Sequence, residues 1–118
     1  MERKPNPVRD KSYSFALRVI RAVKHLTCNE REFVLSKQLL RAGTSIGANI
    51  EEALQAQSKR DFIAKLSIAL KEAHETDYWI RLLTDSASLT SKQGTSLRSD
   101  LHEILGLLTA IIKTSKVV

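Results

Sequence analysis

The residues of this chain able to bind a metal or activate a nucleophile are few, and their spacing argues against both. The histidines are His25, His74 and His102. None belongs to a His-Glu-x-x-His pattern, which sets two imidazoles one turn apart on a helix around zinc. A di-iron bundle needs Glu-x-x-His on two helices and two further glutamates. The residues three before His74 and His102 are Lys71 and Ser99. Cys28 is the one cysteine. It excludes an intrachain disulfide framework, stands in no redox motif, and fits a reducing cytoplasm. Gly43 and Gly47 lie in a helical pattern rather than after a strand, so they form no phosphate-cradling loop. The expectation is a protein that is not an enzyme and carries no metal and no cofactor.

Binding chemistry has better candidates. Residues 1–28 hold seven Lys/Arg against two acids, which is +5 of the +6 net charge. A concentrated excess of this kind favours a polyanionic partner. Ser14, Arg18, Arg21 and His25 are spaced four, three and four and share one helical edge. Lys11, Arg18, Arg21 and Lys24 are the candidate nucleic-acid contacts, with RNA the favoured ligand. Lys37 and Arg41 form a second pair at four-residue spacing. No aromatic residues interleave these cations to stack bases, so contact with phosphates should dominate and sequence specificity should be poor. A solvated face is the plainer alternative, as is pairing of the arginines with Glu51, Glu52, Glu72 or Glu75. A protein-interaction scaffold with no nucleic-acid role is the competing function class. Among other polar groups, Thr44, Ser45, Asn49, Glu51 and Glu52 cluster. They suit hydrogen bonds that fix helix register better than a ligand site, because buried polar groups are usually paired structurally. Asp77 suits a salt bridge to a neighbouring helix or subunit.

The elements that position these residues are helices. A chain of 118 residues makes one domain, and its 2 prolines both precede residue 8, leaving the interior without a proline breaker. The 5% aromatic content is low for a β-sandwich or barrel. No apolar run approaches the ~20 residues of a membrane span, so a cytoplasmic protein is expected. After a loose leader at 1–6, the patterning places helices at about 7–26, 30–56, 59–85 and 91–114. Asn6 and Pro7 suit the first start, Asn29 the second, Ser58 with Asp61 the third and Thr90 with Gln93 the fourth. Tyr13, Ala16, Leu17, Ile20 and Val23 form an apolar face of the first helix, widened by Phe15, Val19, Ala22 and Leu26. Phe62, Leu66, Ala69, Ala73, Ile80 and Leu83 face inward on the third. Leu97, Leu101, Ile104, Leu108 and Ile111 do so on the fourth, whose first turns Gly94 weakens. Short connections make this an all-α, antiparallel up-down-up-down four-helix bundle.

The stretch Lys37–Ala53 organises the bundle. Gly43 and Gly47 each cost ~1 kcal/mol relative to Ala in a helix interior, so something must offset the penalty. Leu39, Ala42, Ile46, Ile50 and Ala53 give the second helix one apolar face, and the two glycines leave an adjacent strip without bulk. Another helix can approach there backbone to backbone, and large side chains at Gly43 or Gly47 should force the helices apart. Gly43, Ile46, Gly47, Asn49 and Ile50 are therefore the candidate packing and assembly residues. Apolar faces wider than one stripe per helix suggest subunit contacts.

Three segments carry a family resemblance: QLLRAGTSIGANIEEA, the Ser58-Lys59-Arg60-Asp61-Phe62 junction, and KLSIALKEAHETDYWIRLL. The chain, from Ser12 to Ile111–Lys116, resembles small bacterial four-helix-bundle proteins. These include proteins encoded in intervening sequences of large-subunit ribosomal RNA genes, and they are related to the accessory variability protein of diversity-generating retroelements. Many relatives carry Ser-Ile-Pro-Ser-Asn-Ile where this chain has Ser45-Ile46-Gly47-Ala48-Asn49-Ile50, so a proline kink is not carried over. The resemblance implies a bundle that assembles as a ring-like homopentamer. It also implies kinship with proteins that bind nucleic acid and a reverse transcriptase through a basic surface. Most of the family has no established biochemical activity.

Overall fold

The computed structural model describes residues 4–117. Four helices account for nearly all of them: α1 (Pro7–Cys28), α2 (Leu35–Leu54), α3 (Lys59–Asp85) and α4 (Ser91–Lys116). Each start has a chemical cause. Asn6 accepts the Arg9 N–H on its side chain at 3.1 Å, with Pro7 in the first helical position. Ser58 accepts the Asp61 N–H at 3.1 Å. Thr90 and Gln93 form a reciprocal capping box, each side chain taking the other's backbone N–H. Lys4–Asn6 are tied down rather than loose. The Arg9 guanidinium donates to the Lys4 carbonyl at 2.7 Å, and the Asn6 N–H donates to Asp10 at 3.1 Å. Residues 1–3 of the leader, and Val118 at the other end, lie outside the described residues.

The second helix starts five residues later than its pattern suggests. Asn29 closes α1 by donating its N–H to the His25 carbonyl at 2.9 Å. Arg31 then takes a left-handed backbone, φ 53°, which turns the chain. Glu32 supplies the cap instead: its carboxylate accepts N–H groups from Val34, Leu35 and Ser36 at 2.8–3.1 Å. Burial alone would raise the Glu32 pKa, but these three donors and the Ser36 hydroxyl hold it below the ordinary glutamate value. The α3–α4 connection also uses a left-handed residue, Ala87 with φ 66°.

Sequence neighbours pack closely, α1 closes on α4, and the backbones of the diagonal pairs stay apart. That is an up-down-up-down bundle. The α2·α3 interface is the most extensive and α1·α4 the sparsest. The core holds Phe15, Val19 and Leu26 of α1, Leu39, Ile46 and Ile50 of α2, Leu66, Ile80 and Leu83 of α3, and Leu101, Ile104 and Leu108 of α4. The α1 face is therefore rotated from its expected orientation. Tyr13, Leu17 and Ile20, read as core, are 66%, 42% and 37% exposed. Both α1 stripes keep 3–4 spacing, and periodicity alone cannot choose between them.

Two glycines set the close approaches. A Cβ on Gly43 would stand 2.8 and 2.9 Å from the methyl carbons of Val19, so α1 presses on the bare backbone of α2. A Cβ on Gly47 would meet Ser12 at 3.4–3.7 Å, an ordinary contact. Gly94, expected only to weaken α4, is buried against α3, where a Cβ would collide with Thr84 Oγ1.

Candidate nucleic-acid interface

The basic edge of α1 faces α4, and the two helices meet there through polar groups. Lys11 Nζ donates to Glu103 Oε2 at 2.7 Å. That hydrogen bond, with the Glu103 charge, raises the Lys11 pKa. Arg18 reaches across at three points: Asp100 Oδ2 at 2.7 Å, the Ser96 carbonyl at 3.1 Å and Ser96 Oγ at 2.9 Å. The partners of Arg18 therefore come from α4. The apolar stripe dominates the α4 pattern, and Ser96, Asp100 and Glu103 lie on the edge beside it. Arg21 and Lys24 are exposed and have no ion-pair partner among the described residues. The four candidate phosphate contacts thus split into two that hold α4 and two that are free.

The sparse seam leaves two hollows of opposite character. Toward the N-terminus of α1, Asp10, Lys11, Ser14, Phe15, Asp100 and Glu103 surround about 290 Å³. Its carboxylates are each ion-paired, Asp10 with Arg9, Glu103 with Lys11 and Asp100 with Arg18, so the hollow offers an anion no unpaired cation. Toward the C-terminus, Arg18, Arg21 and His25 stand over a floor of Ala22, Leu89 and Leu97, with Gln93 at the rim, around about 440 Å³. No carboxylate lines it. Leu89 and Gln93 were not foreseen as part of the site, because only the bundle closure brings the start of α4 beside the end of α1.

Of the remaining candidates, Lys37 is exposed without an ion-pair partner among the described residues, and the others are held within the fold. Arg41 pairs with Glu72 at 3.2 Å and with Glu75, which also accepts the Trp79 indole N–H at 3.1 Å. Asp77 gathers Arg98 at 2.8 Å, Arg81 at 3.2 Å and His102 at 3.4 Å. Burial would raise its pKa, but the Arg98 hydrogen bond and the surrounding cations hold it below the ordinary aspartate value. Ser45 Oγ and Asn49 Nδ2 bond carbonyls of their own helix at 2.6 and 2.8 Å. Glu52 pairs with Lys65 at 3.1 Å. Ile46 and Ile50 are fully buried in the core, and Gly43 and Gly47 face α1. Among the described residues no three His, Cys, Asp or Glu stand together as metal ligands, and Cys28 is exposed and free. Nor is any described helix long and apolar enough to cross a membrane. One feature had no forerunner in the sequence: Phe33 and Val34, read as the first turn of a helix, lie in the α1–α2 connection 57% and 73% exposed. The Arg31 guanidinium sits 6.0 Å from the Phe33 ring centroid.

Comparison with known proteins places this arrangement among its relatives. The chain is similar in structure to a protein of unknown function from the S23 ribosomal protein family of Bacteroides thetaiotaomicron. The TM-score is 0.89 and the identity 56%, over 90% of this chain and 98% of that one. No curated protein matches. The family model described as 23S rRNA-intervening sequence protein matches residues 4–110. Over nearly its whole length, then, this four-helix chain belongs to the 23S rRNA-intervening sequence protein family.

Proposed function

We propose that the protein is a non-enzymatic, self-associating bundle that binds RNA through the basic edge of α1. The observation that carries this reading is the pair Arg21 and Lys24, exposed and unpaired beside a hollow lined by Arg18, Arg21 and His25. The family description, which names a ribosomal RNA context, favours RNA over other polyanions. Arg18 serves as a fixed contact because Asp100 and Ser96 already hold its guanidinium. Lys11 and Arg18 contribute less charge than Arg21 and Lys24, because Glu103 and Asp100 pair with them.

Self-association has its own support. Tyr13, Leu17 and Ile20 form an exposed apolar stripe on α1, and Leu40 of α2 is also exposed. Burying such a stripe against another copy removes apolar area from water. Five copies is the number implied by the family resemblance, and a ring would repeat the basic edge so that weak phosphate contacts add. Light scattering across micromolar concentrations tests this, and a monomer mass throughout rejects it.

An electrophoretic mobility titration at low and physiological salt tests the RNA reading. Affinity should fall with salt, with a log–log slope of about −0.7 to −0.9 per phosphate neutralised. Arg21→Ala and Lys24→Ala should each reduce that slope by about one. Absence of a shift for single-stranded and duplex probes at low salt rejects it. A second reading, a docking platform for another polypeptide, is favoured by exposed Phe33 and Val34. It would then take precedence.

A further inference from the structure

The hollow at the C-terminal half of the α1·α4 seam is more than a stretch of basic surface. Its cations and its apolar floor belong to one concavity. Arg18, Arg21 and His25 rise from successive turns of one helix edge, while Ala22, Leu89 and Leu97 form the base between them. At about 440 Å³ it falls within the ~300–1,000 Å³ range of small-molecule sites. An inorganic polyanion would use the cations and leave uncovered the apolar base, which is mainly Ala22 with the nearly buried Leu89 and Leu97 beneath it. A purely apolar ligand would leave the Arg21 guanidinium facing it unpaired.

From this juxtaposition we infer that the groove formed by Arg18, Arg21, His25, Ala22, Leu89 and Leu97 binds a phosphomonoester carrying a flat apolar body, of the class of a nucleoside monophosphate. It rests on the reading of α1 as a phosphate-binding edge and gives that edge a defined ligand. The phosphate sits between Arg18 and Arg21: Arg21 supplies an unpaired charge, and Arg18, its charge shared with Asp100, supplies a fixed guanidinium donor. Asp100 and Ser96 hold Arg18 in place, so little ordering is left for binding to impose on it. Gln93 spends its side-chain oxygen on the Thr90 N–H at 2.8 Å, which leaves its amide NH₂ as a donor. The positive end of the α4 dipole lies at the same rim. The base lies against Ala22, Leu89 and Leu97. The hollow farther along the seam, where Asp10, Asp100 and Glu103 are paired with Arg9, Arg18 and Lys11, offers no unpaired cation, so the phosphate is drawn to the Arg21 end.

Such a ligand is either a free mononucleotide or the terminal nucleotide of an RNA strand. Isothermal titration calorimetry on the whole chain separates these sources and tests the site. The probes are adenosine 5′-monophosphate, adenosine, ribose 5-phosphate, and one RNA oligomer with either a 5′-phosphate or a 5′-hydroxyl end. Adenosine 5′-monophosphate should bind; adenosine should bind at least about tenfold more weakly, one charge-assisted hydrogen bond or more being lost with the phosphate, and ribose 5-phosphate about tenfold more weakly, the apolar contact of the base being lost. Arg21→Ala should weaken adenosine 5′-monophosphate by about tenfold or more, while Lys113→Ala, on exposed surface of α4's last turn, should leave it unchanged. Ala22→Phe should fill the groove and weaken the mononucleotide. It should leave the 5′-hydroxyl RNA within about twofold, because phosphates along the strand still meet Arg21 and Lys24. Circular dichroism confirms that each variant is folded, and Arg21→Ala, at an exposed position, carries the test if Ala22→Phe is not. A preference for the 5′-phosphorylated oligomer identifies the RNA end as source. Equal binding of both oligomers beside a bound free nucleotide identifies the mononucleotide. RNA binding without adenosine 5′-monophosphate binding overturns the groove and leaves the basic edge standing. Mononucleotide binding without RNA binding does the reverse.

Discussion

Helix α1 is held on its two sides by different physics. Against α2 it meets bare backbone: Val19 sits on Gly43 and Ser12 lies next to Gly47. Against α4 it meets long polar side chains, Lys11 to Glu103 and Arg18 to Asp100 and Ser96. The first arrangement brings the two helices close at Gly43, and a smaller hollow of about 220 Å³ opens beside Gly47. The second holds them at arm's length and leaves hollows of about 290 and 440 Å³ between the clasps. Tight packing and an accessible site are thus divided between the two edges of one helix. Stability should depend mainly on the glycine seam and ligand binding on the polar one.

The largest effect should come from Gly43→Leu. Val19 is fully buried and β-branched, so it has no second rotamer to retreat into. The variant should lose roughly 1–3 kcal/mol or more, measured by urea unfolding, despite its better helix propensity. Val19→Ala should recover part of that loss when combined with it. If the double variant is no more stable than Gly43→Leu alone, Val19 is not the obstruction. The neighbouring glycine should respond oppositely. A methyl at Gly47 meets Ser12 at 3.4 Å or more, so Gly47→Ala should gain up to ~1 kcal/mol from helix propensity. A clear decrease in its melting temperature would remove the distinction between the two positions.

On the polar seam, Arg18→Ala should cost at most about 1 kcal/mol, because the pair it breaks is partly exposed and screened. That cost should shrink as salt rises, whereas the Gly43→Leu penalty should not. Equal salt dependence for both variants would show that the seams do not differ as described. The smallest effect is read through pH at the α3·α4 clasp. The Asp77 carboxyl is held below its ordinary value by Arg98, His102 and Arg81 against the opposing pull of burial. Its contribution is present above the unfolded aspartate pKa of ~3.9 and is lost as pH falls through the lower folded value. Asp77→Asn should therefore be less stable than the parent near neutrality and approach it in acid. A gap that stays constant down to pH 2 would contradict this.

The sequence made the architecture readable because caps and periodicity are local. Asn6, Ser58 and Thr90 start their helices as expected from side-chain oxygens placed before apolar patterns. What was not readable depended on choices between equivalent local patterns. Tyr13-Leu17-Ile20 and Phe15-Val19-Leu26 are both helical stripes, and only the placement of Gly43 opposite Val19 decides which is buried. The Glu30–Val34 segment has acids suited to a first turn, yet Glu32 reaches forward as a cap and leaves Phe33 and Val34 outside the helix. The basic edge was legible as charge, but its division into tied and free cations was not. Asp100 and Glu103 lie more than eighty residues along the chain from Arg18 and Lys11.

Three of the four helix interfaces join sequence neighbours, and only α1·α4 closes the chain upon itself. This order has a kinetic consequence. Hairpins of adjacent helices form after short loop closures, whereas docking α1 on α4 must confine the whole intervening chain. That closure, sparse and polar, gains the least from burial. The α1·α4 seam should therefore be the last interface to assemble and the first to open, with amide hydrogens at its edges exchanging before those of α2 and α3. The groove would then breathe on the timescale of partial opening, so a ligand that bridges Arg18 and Arg21 of α1 with Gln93 of α4 would also slow the exchange of both helices.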